Sequence, residues 1–151
     1  MSKLLRPRAS DTIHMNSIIN IFTGAILLSV APAVAEDALP GAITELFDAY
    51  VSLPDTLVPV LQSATDKHTA DKAAPRLREE LKKLFAIRES LQKVRSLTPK
   101  QNEQVRKRYE KDMREQWGKV YTEMFRLQRN RCYGSADFAR EYKTMCLMLN
   151  K

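Results

Sequence analysis

Apolar residues recur at steps of three and four through the middle of the chain. This spacing keeps their side chains on one face of an α-helix, and that face must be covered by another element. Within residues 36–151 no strand-length segment alternates apolar with polar residues, and glycine occurs only at positions 41, 118 and 134. The pattern therefore predicts an all-α fold, a small helical bundle. The apolar series consists of Leu77, Leu81, Leu84, Ile87, Leu91 and Val94.

A strong helix-start signal follows this series. We expect the helix that carries this series to end near Leu97. There Thr98-Pro99-Lys100-Gln101 supplies an N-cap, a proline at the first position of the next helix and a glutamine that can reach back to the N-cap residue. The next helix is predicted to run to about Arg131, so the two form a long antiparallel hairpin. The first half of this second helix, Gln101 to Asp112, has little apolar surface, so it is expected to project or to pair with a second copy.

Shorter helices are predicted on either side of the hairpin. One runs from about Ala42 to Leu53, and a second, over about residues 57–61, restarts after Pro54. In the polar passage that follows, Thr69 is a candidate cap, and Pro75 marks a kink or a new helix start. At the other end, Gly134 suits a left-handed helix cap, and Ser135 can cap a last helix that carries Phe138, Tyr142, Cys146 and Leu149.

The N-terminal region resembles an export signal. An uncharged apolar run from Ile18 to Val30 follows three basic residues and precedes Ala33-Val34-Ala35, which has small residues where signal peptidases require them. The run is shorter than the roughly 20 residues needed to span a bilayer. We therefore predict a signal peptide over residues 1–35, a single helical domain over 36–151, no stable membrane insertion after cleavage, and a location in the periplasm or outside the cell.

Export determines how the two cysteines are interpreted. In an oxidising compartment Cys132 and Cys146 are most simply a disulfide, which would hold the last helix against the end of the long one. The alternative is a soft-metal site, for copper, built from Met145, Cys146 and Met148. Those three side chains do not share one helical face, so the disulfide is the prediction and no metal is expected.

Charge limits the choice of partner without deciding it. After removal of residues 1–35 the net charge is about +5, with basic residues interleaved among acidic ones as on a solvated helix surface. Export argues against nucleic acid. A polyanion bound through residues such as Lys82, Lys83, Arg106 and Arg108 stays open as an alternative to a polypeptide partner.

The residues needed for catalysis are sparse in residues 36–151. They contain one histidine, His68, in a polar segment, and no glycine-rich loop that would hold a phosphate. Adjacent acids such as Glu79 and Glu80 point about 100° apart on a helix, so they do not form a catalytic pair. We therefore expect a protein that is not an enzyme and takes no cofactor.

An aromatic series supplies the candidate binding residues. Trp117, Tyr121 and Phe125 stand four residues apart, and each step rotates by about 40°, so together they form a ridge along the long helix. If Val120, Met124 and Leu127 already fill the core, this ridge is exposed and can hold a partner.

Two local resemblances bear on function. Leu97-Thr98-Pro99-Lys100-Gln101 resembles the LTxxQ signature of periplasmic helical proteins of the Spy and CpxP type. That resemblance implies a cradle-shaped, often dimeric helical hairpin that binds unfolded clients or acts as an envelope-stress adaptor. The first LTxxQ copy of that family is missing from this chain. A looser series, Thr65-Asp66, Ala70-Asp71 and Ala74-Pro75-Arg76-Leu77, is similar to small exported helical proteins of planctomycete and verrucomicrobial type, a group that brings no assigned function.

Together these observations predict an exported helical protein that works by binding. The expected partner is a polypeptide, either a client or a second copy of the chain in a homodimer. The alternative is a structural protein or one that binds a polyanionic component of the envelope or the exterior.

Overall fold

The computed structural model describes residues 38–94 and 97–149 of the 151-residue chain. In these residues every regular element is helical, which confirms the predicted all-α fold. The predicted signal peptide, residues 1–35, lies outside the described residues. In chain order the elements are α1 (Gly41–Ser63), α2 (Lys67–Lys93), α3 (Pro99–Arg129), a single turn (Arg131–Gly134) and α4 (Ala136–Leu149).

Helix α1 continues through two prolines. The sequence predicted two short helices separated at Pro54, whereas the structure has one helix of 23 residues with Pro54 and Pro59 inside it. Each proline removes a backbone N–H, so the carbonyl four residues earlier loses its helical hydrogen bond. The buried side chains of Leu53, Leu57 and Leu61 offset that loss because they anchor the backbone on both sides of each proline. Tertiary packing therefore overrides the local signal to stop.

Helix α2 begins earlier than predicted. Asp66 is its N-cap, and its carboxylate accepts a hydrogen bond from the Thr69 backbone N–H at 2.8 Å. Thr69, the residue predicted as the cap, is instead the third residue of the helix. Its hydroxyl accepts a hydrogen bond from the Asp66 backbone N–H at 2.9 Å. The bond from Thr69 lowers the pKa of Asp66. The helix then passes through Pro75 without a break and ends at Lys93.

The predicted start of α3 is confirmed. The Thr98 hydroxyl accepts the Gln101 backbone N–H at 3.2 Å, and the Gln101 side chain accepts the Thr98 backbone N–H at 3.0 Å. These two bonds make a capping box that satisfies donors the helix cannot satisfy internally. Leu97, the first residue of the LTxxQ motif, packs against a small hydrophobic cluster. The motif thus has a structural role in this chain.

The first half of α3 is covered by α1. The Phe47 and Tyr109 rings stack with their centroids 5.3 Å apart, and Val105 is buried in the same cluster. The Tyr109 hydroxyl donates to the Asp48 carboxylate at 2.7 Å. The expectation that this half projects is therefore wrong, because the uninterrupted α1 covers its apolar side chains.

Helix α1 is the element that the two longest helices share. It packs closely against both α2 and α3, and α2 packs in addition against α4. Because a continuous core needs each helix to bury one face, the main cluster draws on all four helices. Its fully buried members include Leu57, Leu77, Trp117, Val120, Phe138 and Met145. None of the helices within residues 38–94 and 97–149 is both long and apolar enough to cross a membrane.

The Arg126 guanidinium joins α3 to the end of α1. It donates to the backbone carbonyls of Leu61 at 2.7 Å and Ala64 at 2.9 Å at the end of α1, where the Leu61 carbonyl also accepts the Ala64 backbone N–H at 3.3 Å. It also donates to the Glu123 carboxylate at 2.6 Å and the Tyr133 hydroxyl at 2.7 Å. One side chain therefore caps α1 and fixes the start of the following turn.

The turn between α3 and α4 is left-handed. Gly134 has a φ of 74°, as predicted, but Arg131, Cys132 and Tyr133 also have positive φ values of 50°, 49° and 53°. Each L-residue in this conformation costs about 1–2 kcal/mol. Burial of Cys132 and the bond from Arg126 to Tyr133 offset part of that cost. The Ser135 hydroxyl then accepts the Phe138 backbone N–H at 3.1 Å, which confirms it as the cap of α4.

Two glycine-to-alanine substitutions are expected to have opposite effects. Gly118 lies inside α3 and Gly134 in the left-handed turn, and a Cβ atom would have open space at both. Gly118→Ala should raise the free energy of unfolding by about 0.5–1 kcal/mol, since alanine loses less backbone entropy in a helix. Gly134→Ala should lower it by about 1 kcal/mol, since a residue with a side chain is strained at the φ of 74°. Urea unfolding of both variants measures the difference, and effects of equal sign would contradict the conformation of the turn.

Candidate functional site

The three predicted binding residues differ widely in exposure. Trp117 is 1% exposed and stacks on Tyr50, with ring centroids 4.8 Å apart. Tyr121 is half-buried against the core, and Phe125 is 51% exposed. The structure therefore places Trp117 in the core and only the end of the series at the surface.

Helix geometry accounts for this gradation. The core-facing stripe of α3 consists of Trp117, Val120, Met124 and Leu127, which are 0–9% exposed. Two steps of four residues from Trp117 accumulate a rotation of about 80°, enough to carry a side chain from the centre of the stripe to solvent. The predicted ridge is thus a short exposed edge, and we call Tyr121 and Phe125 the α3 aromatic edge.

A positive charge lies near the inner end of the α3 aromatic edge. Burial raises the pKa of Tyr50 to about 12 and also raises the pKa of Tyr121, and the Arg88 guanidinium opposes the shift in both cases. Arg88 on α2 is therefore close enough to interact with both phenols.

The predicted disulfide is absent, because Cys132 and Cys146 are both free thiols. Cys132 is held inside the left-handed turn and is 5% exposed, whereas Cys146 lies on the third turn of α4. Burial is the main cause that raises the pKa of each thiol. No bond joins the two sulfur atoms, although Cys146 lies near enough to contribute, after burial, to the raised pKa of Cys132.

The soft-metal alternative gains no support from α4. Met145 is fully buried while Cys146 and Met148 are partly buried, so the three side chains leave the helix in different directions. Tyr142, one turn before Cys146, donates its hydroxyl to the Met124 carbonyl at 3.1 Å. Within residues 38–94 and 97–149, no three side chains of histidine, cysteine, aspartate or glutamate converge as a metal site would require.

An acidic groove between α1 and α3 was not predicted. It has a volume of about 350 Å³. The Asp48 carboxylate on its wall accepts a hydrogen bond from Tyr109 and lies 3.5 Å from Arg108, so part of its charge is already neutralised. Burial, followed by the bond to Asp48, raises the pKa of Tyr109 to about 12. The sequence contains no local motif that predicts the groove, because α1 and α3 contribute residues that are far apart in sequence. Its lining is Asp48, Val51, Ser52, Asp55, Arg108, Tyr109, Asp112 and Gln116.

Sequence reasoning also missed a nearly buried charge on α4. Glu141 is 7% exposed, and its carboxylate accepts hydrogen bonds from the Arg78 guanidinium at 2.7 and 2.9 Å. A buried carboxylate is tolerated only when such a partner satisfies it. The 63 residues between the two side chains conceal the pair from any local pattern. Its effect is to set the register of α4 on α2.

Two further apolar side chains are exposed. Phe85 on α2 and Leu147 on α4 are each 57% exposed, which is comparable to Phe125. Phe85 lies one residue beyond the stripe residue Leu84, so it is rotated by about 100° from the core. These residues offer matched comparisons for tests of the α3 aromatic edge.

The basic residues proposed for polyanion binding are largely engaged. Lys82 bonds Glu79 and Lys83 bonds Glu80, each at 2.8 Å, and Arg108 lies 3.5 Å from Asp48. Arg106 is exposed. Basic side chains that are already in ion pairs attract a polyanion only weakly.

The described residues therefore present a closed helical core, a short aromatic edge on α3 and a partly neutralised acidic groove. Residues with the geometry of a nucleophile and its base are not brought together at any of these places. Comparison with known proteins adds no relative: no protein-family model, no curated protein and no solved structure matches this chain.

Proposed function

We propose that the protein is an exported, non-enzymatic binding protein that holds polypeptide segments on the α3 aromatic edge. The observation that carries the proposal is the exposure of Phe125, at 51%, beside the half-buried Tyr121 one turn earlier. Aromatic side chains contribute large contact areas at low entropic cost, and they are enriched at the centres of protein interfaces.

The proposal includes the cellular location and the finer architecture. Residues 1–35 act as the signal peptide, and residues 36–151 fold as the mature domain in the periplasm or outside the cell. Within that domain, α2 and α3 run antiparallel as the two arms of the hairpin predicted from the sequence, and α1 joins them because it packs on both. The kinship with Spy and CpxP proteins is part of the same proposal, and the Leu97–Gln101 motif is the residue pattern that supports it.

A polypeptide partner is preferred over a polyanion for an electrostatic reason. Three of the four basic residues considered for polyanion binding are within 4 Å of an acid on the same or a neighbouring helix. A polyanion would have to displace those acids, and its binding would weaken steeply with added salt. Contacts made by Tyr121 and Phe125 depend on apolar area, so salt should change them little.

The test compares two phenylalanines of similar exposure, Phe125 at 51% and Phe85 at 57%. Purified protein is mixed with an unfolding model protein, and aggregation is followed by light scattering. Phe125→Ser is expected to reduce the suppression of aggregation at least about fivefold, since it removes the most exposed side chain of the edge. Phe85→Ser, which changes a side chain of similar exposure on α2, is the matched control and should leave suppression unchanged.

The outcomes separate the alternatives. Loss of suppression in Phe125→Ser alone supports the α3 aromatic edge. Equal loss in both variants shows a general hydrophobic effect and contradicts the edge as the site. No suppression by the unmodified protein at several-fold excess contradicts client binding itself. Suppression that disappears with added salt shows that charged residues hold the client, and it contradicts the apolar edge as the site.

A further inference from the structure

The left-handed turn at Arg131–Gly134 is a strained connection between two helices. Three successive non-glycine residues there adopt positive φ values of 49–53°. L-residues favour the right-handed helical conformation, which the same three residues would adopt if α3 simply continued. The covalent chain therefore prefers a straight connection, and only contacts within the folded monomer hold it bent.

A straight connection would change the partner of α4 and leave its own surface intact. If the turn became right-handed helix, α3 and α4 would form one rod, and α4 would point away from the α2 of its own chain. The inner face of α4 would then be uncovered. That face includes Phe138, Met145 and Leu149, which are 0–5% exposed in the closed form.

The contacts that hold α4 come mainly from α2. Within the described residues α4 packs closely against α2 and the turn, and it contacts α3 through the bond from the Tyr142 hydroxyl to the Met124 carbonyl at 3.1 Å. The ion pair between Arg78 and Glu141 fixes its register on α2. A second copy of the chain offers the same α2 surface, so it can accept a foreign α4 with identical contacts.

We propose that two copies of the chain exchange α4 to form a domain-swapped dimer, with Arg131–Gly134 as the hinge. Every contact between α4 and α2 is kept in the dimer, and the strain of two turns is released. The dimer loses the burial of Cys132, the bond from Arg126 to Tyr133 and the Ser135 cap. Short strained hinges are the setting in which such exchange is favoured. This proposal is independent of client binding, since it concerns a different surface.

A charge-reversal experiment tests the exchange directly. Arg78→Glu and Glu141→Arg each place two like charges at the α2–α4 contact of a closed monomer. When the two variants are mixed, unfolded together and refolded, an exchanged heterodimer pairs opposite charges at both contacts. We expect heterodimers to exceed homodimers by about tenfold or more, because one charge of each pair is nearly buried. Native mass spectrometry resolves the species, since the two variants differ in mass.

A double variant controls for folding. Arg78→Glu with Glu141→Arg in one chain restores an opposite-charge pair and should fold, as judged by circular dichroism. If the double variant folds but the mixed single variants give only monomers or a statistical set of dimers, the exchange proposal is overturned. A dimer that forms without preference for the mixed pair points to face-to-face association and also overturns it.

Hinge variants provide a second, independent measurement. Arg131→Gly relaxes the closed turn and should lower the dimer association constant of the otherwise unchanged protein about a hundredfold, roughly tenfold for each of two hinges. Gly134→Ala strains the turn further and should raise it by a similar factor. Gly118→Ala lies within α3, outside the hinge, and should leave the constant unchanged. Analytical ultracentrifugation after refolding at several concentrations gives the three constants, and hinge variants that match Gly118→Ala would contradict the proposal.

Discussion

Trp117→Ala is expected to lower the free energy of unfolding by about 3–5 kcal/mol, the range for truncating a buried aromatic side chain. Trp117 is 1% exposed, and its ring stacks on Tyr50 at 4.8 Å. Removing it leaves a cavity at the meeting point of α1 and α3. Small domains are stable by only about 5–15 kcal/mol, so this single change removes much of the total.

The measurement is urea unfolding followed by far-ultraviolet circular dichroism, because the variant has lost the only tryptophan of the chain. Phe125→Ala is the control: its side chain is 51% exposed, so it should cost less than about 1 kcal/mol. Similar losses in the two variants would contradict the burial of Trp117. The difference also explains why binding assays should alter Phe125 and leave Trp117 in place.

Trp117→Phe separates packing from polarity. The indole N–H is buried and has no acceptor among the described residues. A buried donor without a partner costs roughly 1–3 kcal/mol, so phenylalanine should recover most of the loss caused by alanine. We expect Trp117→Phe to lie within about 1.5 kcal/mol of the unmodified protein. A loss as large as that of alanine would show that ring size alone determines the effect.

Arg126→Met is expected to lower the free energy of unfolding by about 3 kcal/mol, although it keeps most of the side-chain volume. The guanidinium makes four charge-assisted hydrogen bonds, two of them to the last carbonyls of α1. Its removal leaves the Ala64 carbonyl without this donor, leaves the Leu61 carbonyl with only the Ala64 N–H at 3.3 Å, and leaves the largely buried Glu123 carboxylate without its cation. These losses account for most of the cost.

Arg129→Met is the matched control for this substitution. Arg129 lies one turn further along α3 and is exposed, so its loss should change stability by less than about 0.5 kcal/mol. Arg126→Lys should fall between the two, because a single ammonium cannot reach two carbonyls, a hydroxyl and a carboxylate together. Unfolding followed by Trp117 fluorescence compares all three variants. Equal effects at positions 126 and 129 would contradict the capping of α1.

Helix boundaries that depend on neighbouring residues were predictable. The capping box of Thr98 and Gln101, the Ser135 cap and the positive φ of Gly134 all follow from side chains within three residues of the feature. Boundaries that depend on distant contacts were not. Pro54 and Pro59 are read locally as stops, yet Leu57 and Leu61 hold the helix together through packing across the core.

The contacts of Arg126 were likewise only partly predictable from the sequence. Its position near the C-terminus of α3 predicts a favourable interaction with the dipole of its own helix. The structure shows a larger role, in which it caps the neighbouring α1 through the Leu61 and Ala64 carbonyls. Sequence spacing cannot reveal a bond across more than 60 residues, because that bond exists only after α1 and α3 have packed.

The candidate site was only partly accessible from the sequence. The series Trp117, Tyr121 and Phe125 was found by its spacing, but which member faces solvent depends on where α1 packs against α3. The acidic groove and the pair of Arg78 with Glu141 left no local signal. The disulfide was inferred from the number of cysteines and the expected compartment, neither of which contains the geometry of the two sulfur atoms.

The sequence by itself determined the helical class, three of the main caps and the polarity of each helix face, because these depend on propensity and on spacing within a few residues. The tertiary structure decided that α1 is one helix, that α1 covers the first half of α3, that Trp117 is core and that the chain bends through a strained left-handed turn. The reason is physical: burial of side chains from distant segments supplies several kcal/mol, which exceeds the local cost of a proline or a positive φ.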